Sequence, residues 1–135
     1  MTCELCTTPG GVVLWEDQFC RVIQVTELGY PGFCRVVWKA HVREMTDLED
    51  AQRLHCMNVV FAVERALRAT MTPAKINLAT LGNMVAHLHW HVIPRFTDDP
   101  HFPQPVWGAR QREGAPARAG TDKLAQAIRS ELQAR

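Results

Sequence analysis

The chain has 135 residues, 47% of them hydrophobic and 21% charged, the size and composition of one globular domain with a true core. Fifteen Lys and Arg against fourteen Asp and Glu leave a formal net charge of +1, so no global field marks a nucleic-acid or membrane-surface binder, and any anionic ligand has to be held locally. No apolar run approaches the roughly 20 residues that span a bilayer, and Met1-Thr2-Cys3-Glu4-Leu5-Cys6 lacks the basic-then-apolar pattern of an export signal, so a cytoplasmic protein is expected.

The first motif in chain order is Cys3-Glu4-Leu5-Cys6, whose two-residue gap lets adjacent thiolates meet one zinc ion, with histidines elsewhere to complete a tetrahedral set. The same spacing serves redox chemistry, but here it stands without the flanking strand and helix of a thioredoxin-like site; unliganded thiols at a frayed terminus are the other alternative. The odd total of five cysteines argues against a disulfide framework, and Cys20, Cys34 and Cys56 lie in apolar runs where a free cysteine acts as a small buried hydrophobe. Val12-Val13-Leu14-Trp15 and Phe19 to Val25, split by Glu16-Asp17-Gln18, read as a hairpin. Tyr30-Pro31-Gly32 turns the chain into a third strand, Phe33 to Trp38, which places His41 at or just past a strand end.

Thr46-Asp47-Leu48-Glu49 offers a capping box, and apolar residues at helical spacing from Leu48 to Leu67 predict one long helix ending near Thr70. Met57, Val60 and Phe61 widen its apolar surface beyond one stripe, so a homodimer built partly on this helix is expected. Ile76 to Leu81 reads as a strand, Gly82-Asn83 as a turn, and Val85 to Arg95 as a strand closed by Pro94, antiparallel to its predecessor. The fold class is therefore α+β: an antiparallel sheet of about five strands with one long helix packed on it and a short C-terminal helix. The organised domain is read as 1–107 and the remainder, 108–135, as a tail. That tail comprises a Gly/Ala/Arg linker through Gly120 and a helix capped by Thr121-Asp122, with Leu124, Ile128 and Leu132 forming a narrow stripe that docks on the body or a partner.

Inside the predicted strand from Val85, residues two apart share a face, so His87, His89 and His91 project together and Leu88, Trp90 and Val92 oppositely. Apolar residues would fill a buried face better, so three imidazoles in a row imply use. Two chemistries suit them: a three-histidine zinc site, or a neutral imidazole acting as nucleophile on phosphorus with neighbouring donors holding the phosphate oxygens. Spacing alone leaves both open.

The segment Asn77-Leu78-Ala79-Thr80-Leu81-Gly82-Asn83-Met84-Val85-Ala86-His87-Leu88-His89-Trp90-His91-Val92-Ile93-Pro94-Arg95 resembles the signature of the histidine triad nucleotide-binding family. Tyr30-Pro31-Gly32-Phe33, Lys39-Ala40-His41-Val42 and Thr46-Asp47-Leu48 follow that family's order, and the resemblance covers roughly residues 3–107. It implies a sheet with helices, often dimeric, that hydrolyses or transfers nucleoside monophosphates through a covalent nucleotidyl-histidine and needs no metal for the chemistry. By position His89 would be the nucleophile, and His91 would hold the α-phosphate or orient its neighbour. Asn77 would meet a phosphate oxygen or the nucleotide, and backbone N–H groups after Gly82 would face the phosphate. Trp107 would cap the mouth of the site. The ligand would be a purine nucleotide or nucleotide conjugate, with no nucleic acid and no membrane as partner. Zinc-binding relatives in the wider superfamily imply Cys3, Cys6, His41 and His87 as ligands of a structural zinc; without zinc, His41 and His87 would line the nucleotide pocket.

One departure bears on specificity. Where the family commonly carries Gly-Gln-Ser or Gly-Gln-Thr, this chain has Gly82-Asn83-Met84, and a thioether donates no hydrogen bond, so the hydroxyl contact to phosphate or leaving group is missing unless Asn83 replaces it. Two other functions therefore stay in view, a nucleotide-binding module with little turnover and a zinc hydrolase using the three histidines as ligands.

Overall fold

A computed structural model describes residues 3–26, 29–113 and 118–133. Its elements are α1 (Glu4–Thr7), β1 (Val12–Glu16), β2 (Cys20–Gln24), β3 (Cys34–Trp38), α2 (Asp50–Met71), β4 (Lys75–Ala79), β5 (His89–Arg95) and α3 (Leu124–Gln133). The five strands form one antiparallel sheet in the order β1-β2-β3-β5-β4, so the expected α+β architecture stands. Among the described residues no helix is long and apolar enough to cross a membrane.

Strand alternation divides the sheet into two differently used faces. Cys20, Val22, Cys34, Val36, Trp38, Ile76 and Val92 point to one side and pack under α2, through Cys56, Val59, Val60, Val63 and Leu67. Ile23, Val37 and Ile93 point to the other, where they meet Leu5, Val25, Tyr30 and Phe33 in a smaller cluster. Burial pushes the Cys34 thiol up to about 12 and that of Cys56 up to about 11, as befits inert core residues.

The local causes are specific. The β1–β2 turn closes on Asp17, whose Oδ1 accepts from the N–H groups of Phe19 at 2.8 Å and Cys20 at 2.9 Å. The capping box expected at Thr46 to Glu49 is displaced. Asp47 instead accepts from the Glu44 N–H at 3.0 Å and closes a separate 3₁₀ turn over Met45–Asp47. The long helix then starts at Asp50 under its own box, with Gln52 Oε1 accepting from the Glu49 N–H at 2.9 Å. It stops where Thr72 turns left-handed ahead of Pro73, which cannot continue it.

One other expectation changes. β5 begins at His89 rather than Val85, because the chain from Leu81 to Leu88 runs as an irregular loop tied down at its end by the Leu88 N–H to the Val42 carbonyl, 2.8 Å. After β5, His101 stacks on Tyr30 and hydrogen-bonds the Tyr30 hydroxyl. The C-terminal helix docks on α2, with Leu124 and Ile128 fully buried in the larger core and the Arg65 Nε donating to Glu131 Oε2 at 2.7 Å. Residues 114–117 of the segment read as linker lie outside the described residues. Because Ile128 has no exposed surface, Ile128→Ala is expected to destabilise the whole domain by about 2–5 kcal/mol in chemical denaturation; a loss below about 0.5 kcal/mol would show that α3 is not part of the cooperative unit.

Candidate active site

The residues before β5 split the histidine row. His87 is buried (1% exposed), and its Nε2 lies 2.6 Å from the Trp38 carbonyl oxygen. A carbonyl only accepts, so the proton sits on Nε2 and the Nδ1 lone pair faces the other way. There it meets Cys3 Sγ at 3.3 Å, Cys6 Sγ at 3.5 Å and His41 Nδ1 at 3.2 Å, while Cys6 Sγ stands 3.3 Å from His41 Nδ1. The expectation of three imidazoles on one face is therefore corrected: His87 belongs with Cys3, Cys6 and His41, whose ligand atoms all lie within 4.8 Å of one another.

The N-terminal segment is held in place for this contact. Leu5 is buried in the smaller cluster, and Arg21 receives the carbonyls that end α1, its Nη2 donating to Leu5 at 2.8 Å and Thr8 at 3.1 Å and its Nε to Pro9 at 3.0 Å. Two nitrogens at zinc bonding distance and tetrahedral angle stand about 3.3 Å apart, and a sulfur and a nitrogen about 3.5 Å. The four donors match those edges and the Cys2His2 chemistry, so they fit a closed, four-ligand zinc site. A second cluster, Asp17, Cys20 and His55, fits poorly. Its His55 Nε2 and Asp17 Oδ2 are 2.7 Å apart, the length of a direct hydrogen bond between α2 and the β1–β2 turn. Among the described residues His87, His89 and His91 do not gather as a ligand set, which removes the three-histidine zinc site.

His89 and His91 stay together, their ring centroids 4.9 Å apart, and line a cavity of about 570 Å³ with Arg35, Leu81, Gly82, Asn83, Met84 and Trp107. His89 Nδ1 lies 2.6 Å from the His87 carbonyl oxygen, which fixes its proton on Nδ1 and leaves Nε2 with a lone pair. His91 has the opposite tautomer, because Arg35 Nε donates to its Nδ1 at 3.3 Å and its proton must sit on Nε2. The pair thus offers one nucleophilic nitrogen and one N–H donor. Burial, ahead of the nearby Arg35 charge, lowers the His89 pKa below that of a free imidazole and pushes His91 down to about 4, so both are neutral at pH 7.

The turn before them presents unengaged backbone donors. Gly82 has φ +73°, and among the described residues the amides from Gly82 to Val85 donate to no protein acceptor. Met84 is 98% exposed and presents only a thioether. Trp107 packs edge-on to His91, centroids 5.1 Å apart, and is half exposed.

Asn77 lies outside the histidine cavity. Its Oδ1 accepts from Arg95 Nη1 at 2.8 Å, and it lines a neighbouring groove of about 730 Å³ that shares Trp107 with the histidine cavity but holds none of the histidines. Arg95 is itself 2% exposed and paired with buried Asp99, Nε to Oδ2 at 2.7 Å. Asp99 also accepts from the N–H groups of Phe96, His101 and Phe102. Burial alone would raise the Asp99 pKa, but Arg95 and these donors outweigh it and hold the carboxyl below its ordinary value. The latch fixes the start of the segment that carries Trp107.

Sequence reading missed Arg35. It lies directly across the β3–β5 ladder from His91. Its only local signal is a charge alternating with buried Cys34 and Val36, and the pairing that gives it meaning spans 56 residues.

The family model for the HIT domain matches residues 10–98. The chain belongs to the histidine triad (HIT) family. Among solved structures, it is similar to a histidine triad protein from Bradyrhizobium japonicum, at 27% identity over 98% of this chain and 97% of the other, TM-score 0.76. It is also similar to one from Sinorhizobium meliloti, at 26% identity over 98% and 96%, TM-score 0.74. A zinc-bound histidine triad family protein from Mycobacterium smegmatis shares the fold at 20% identity over 99% and 95%, TM-score 0.65. No match is found among curated proteins.

Because the folded His91 pKa is depressed, the unfolded chain binds its proton first as pH falls. Stability is therefore expected to drop as pH is lowered from about 6.5 towards 4, by on the order of 3 kcal/mol from this residue. Denaturation at a series of pH values should give a shallower slope in that window for His91→Asn than for the parent; identical slopes would show that His91 titrates normally.

Proposed function

We propose that this HIT protein is a nucleotidyl hydrolase or transferase that cleaves a nucleoside 5′-phosphate derivative, a phosphoramidate, dinucleoside polyphosphate or adenylylated amine, through a nucleotidyl intermediate on His89. Family membership supports the nucleotide-binding hydrolase or transferase class. The observation that carries the finer reading is the pairing of tautomers, with a neutral His89 whose Nε2 is unprotonated next to a His91 whose Nε2 is an N–H donor. In this scheme His89 Nε2 attacks the α-phosphorus as the bond to the leaving group breaks and that group departs with its electron pair, His91 and the free amides after Gly82 hold the phosphate oxygens, and water later displaces the nucleotide from the imidazole. Neutrality at pH 7 suits the first step, since a protonated imidazole has no lone pair to give.

The test is mass spectrometry of protein quenched during incubation with adenosine 5′-phosphoramidate and, separately, diadenosine tetraphosphate. An adenylyl adduct on His89 is expected. His89→Ala should abolish adduct and turnover while nucleotide binding survives, and turnover within about tenfold of the parent, about 1.4 kcal/mol of barrier, would overturn covalent catalysis by this residue. Binding without adduct in the parent would instead mark a module with little turnover.

We further propose that Cys3, Cys6, His41 and His87 hold a structural zinc, supported by their donor chemistry and spacing and by the zinc-bound relative that shares the fold. The ion would tie the N-terminal segment to the loop before β5, with no open position for a reacting water. Elemental analysis of chelator-free protein is expected to give about one zinc per chain. Cys3→Ser with Cys6→Ser should remove it, and unchanged zinc in that variant would refute the site.

Homodimerisation is proposed on a narrower basis than the sequence offered. Val60 is buried and Met57 half-buried within the chain itself, which leaves Leu54 and Phe61, seven residues apart on α2, as the exposed apolar stripe for a second copy.

A further inference from the structure

We propose that Arg35 selects substrates whose departing group is itself an anion, a phosphate or polyphosphate rather than an amine; this rests on the covalent reading of the site. Arg35 is the only lysine or arginine lining the histidine cavity among the described residues. One of its donors, Nε, is committed to His91 Nδ1. Its two terminal nitrogens make no hydrogen bond or ion pair with any described residue. A guanidinium anchored at Nε with its outer edge unengaged is suited to bidentate contact with a phosphate.

The rest of the lining points the same way. Among the described residues it contains no Ser, Thr, Tyr, Cys or Lys; Leu5, Leu81, Met84, Val85 and Trp107 are apolar or lack an acidic proton, the Asn83 amide is no acid, and the Glu4 side chain is exposed. His91 is held neutral, so its N–H can donate a hydrogen bond but is a poor acid. An amine leaving phosphorus needs a proton on its nitrogen as the bond breaks, and nothing in this lining is poised to give one. A phosphate does not. As the bond from His89 Nε2 to phosphorus forms, the bond from phosphorus to the bridging oxygen breaks, and its electron pair stays on the leaving phosphate, whose growing charge Arg35 meets. Water then attacks phosphorus, the bond to Nε2 breaks with its pair returning to the imidazole, and the proton lost by water passes to solvent.

Diadenosine tetraphosphate and adenosine 5′-phosphoramidate would place the same adenylyl group on His89 and differ only in what departs, so the ratio of their kcat/KM values isolates the leaving group. The parent is expected to favour the tetraphosphate. Arg35→Gln should lose about 100-fold or more on it and less than about 10-fold on the phosphoramidate, the smaller loss reflecting the contact to His91. Arg35→Lys, which keeps the charge but not the fork, should fall between, and it carries the test if the Gln variant fails to fold. Equal losses on both substrates, or a parent that favours the phosphoramidate, would overturn the role of Arg35 while adduct formation on His89 persists. Absence of the His89 adduct with either substrate would overturn the covalent reading and the selectivity together.

Discussion

Two backbone carbonyls decide what the histidines can do. The Trp38 oxygen accepts a hydrogen bond from the Nε2–H of His87, and the His87 oxygen accepts one from the Nδ1–H of His89. Each bond fixes a tautomer, and each tautomer aims a lone pair: that of His87 towards two cysteines and His41, that of His89 away from the backbone that holds it. Neither bond depends on sequence locally, since any residue supplies a carbonyl. The first depends on the end of β3 lying beside the residues before β5, while the second is local to the point where the loop enters β5, so the tautomers rest on the sheet order and the loop geometry together.

The two faces of the sheet divide the labour. One is a conventional core under α2 and α3, rich in β-branched residues with no exposed surface. The other is only partly covered, by Leu5, Tyr30 and Phe33, and the uncovered part is the cavity that His89 and His91 line. The buried Arg95–Asp99 pair is costly to desolvate but fully hydrogen-bonded, and the structure uses it to anchor the loop leading to Trp107. Breaking one partner would leave an unpaired buried charge and release a wall of the site.

The sequence was most legible where one element carries its own pattern. The hairpin, the long helix, the C-terminal stripe of Leu124 and Ile128, and the pairing of β4 with β5 all follow from local periodicity and turn residues. The start of β5 was not legible, because Val85 to Leu88 continues the alternation of hydrophobic and other residues without the ladder partner that makes a strand. Alternation alone put His87 with His89, whereas the loop geometry turns it to the cysteines. Arg35 and Asp99 were opaque for a related reason: an arginine in an apolar run and an aspartate in a Pro-rich loop acquire roles only from residues brought beside them by folding. Met84 was the reverse case, since its lack of a donor is a property of the residue itself, and its exposure leaves that departure from the family pattern standing at the cavity.

The claim on which the rest turns is that the imidazoles facing the cavity are neutral and of opposite tautomer. Long-range proton–nitrogen NMR correlation of the histidine rings at pH 7 reads this directly in the resting protein, with single histidine variants for assignment. The expected result is His89 protonated on Nδ1 only and His91 on Nε2 only. A His89 protonated on Nε2, or doubly protonated at that pH, would leave it without a lone pair for phosphorus and would contradict the proposed chemistry.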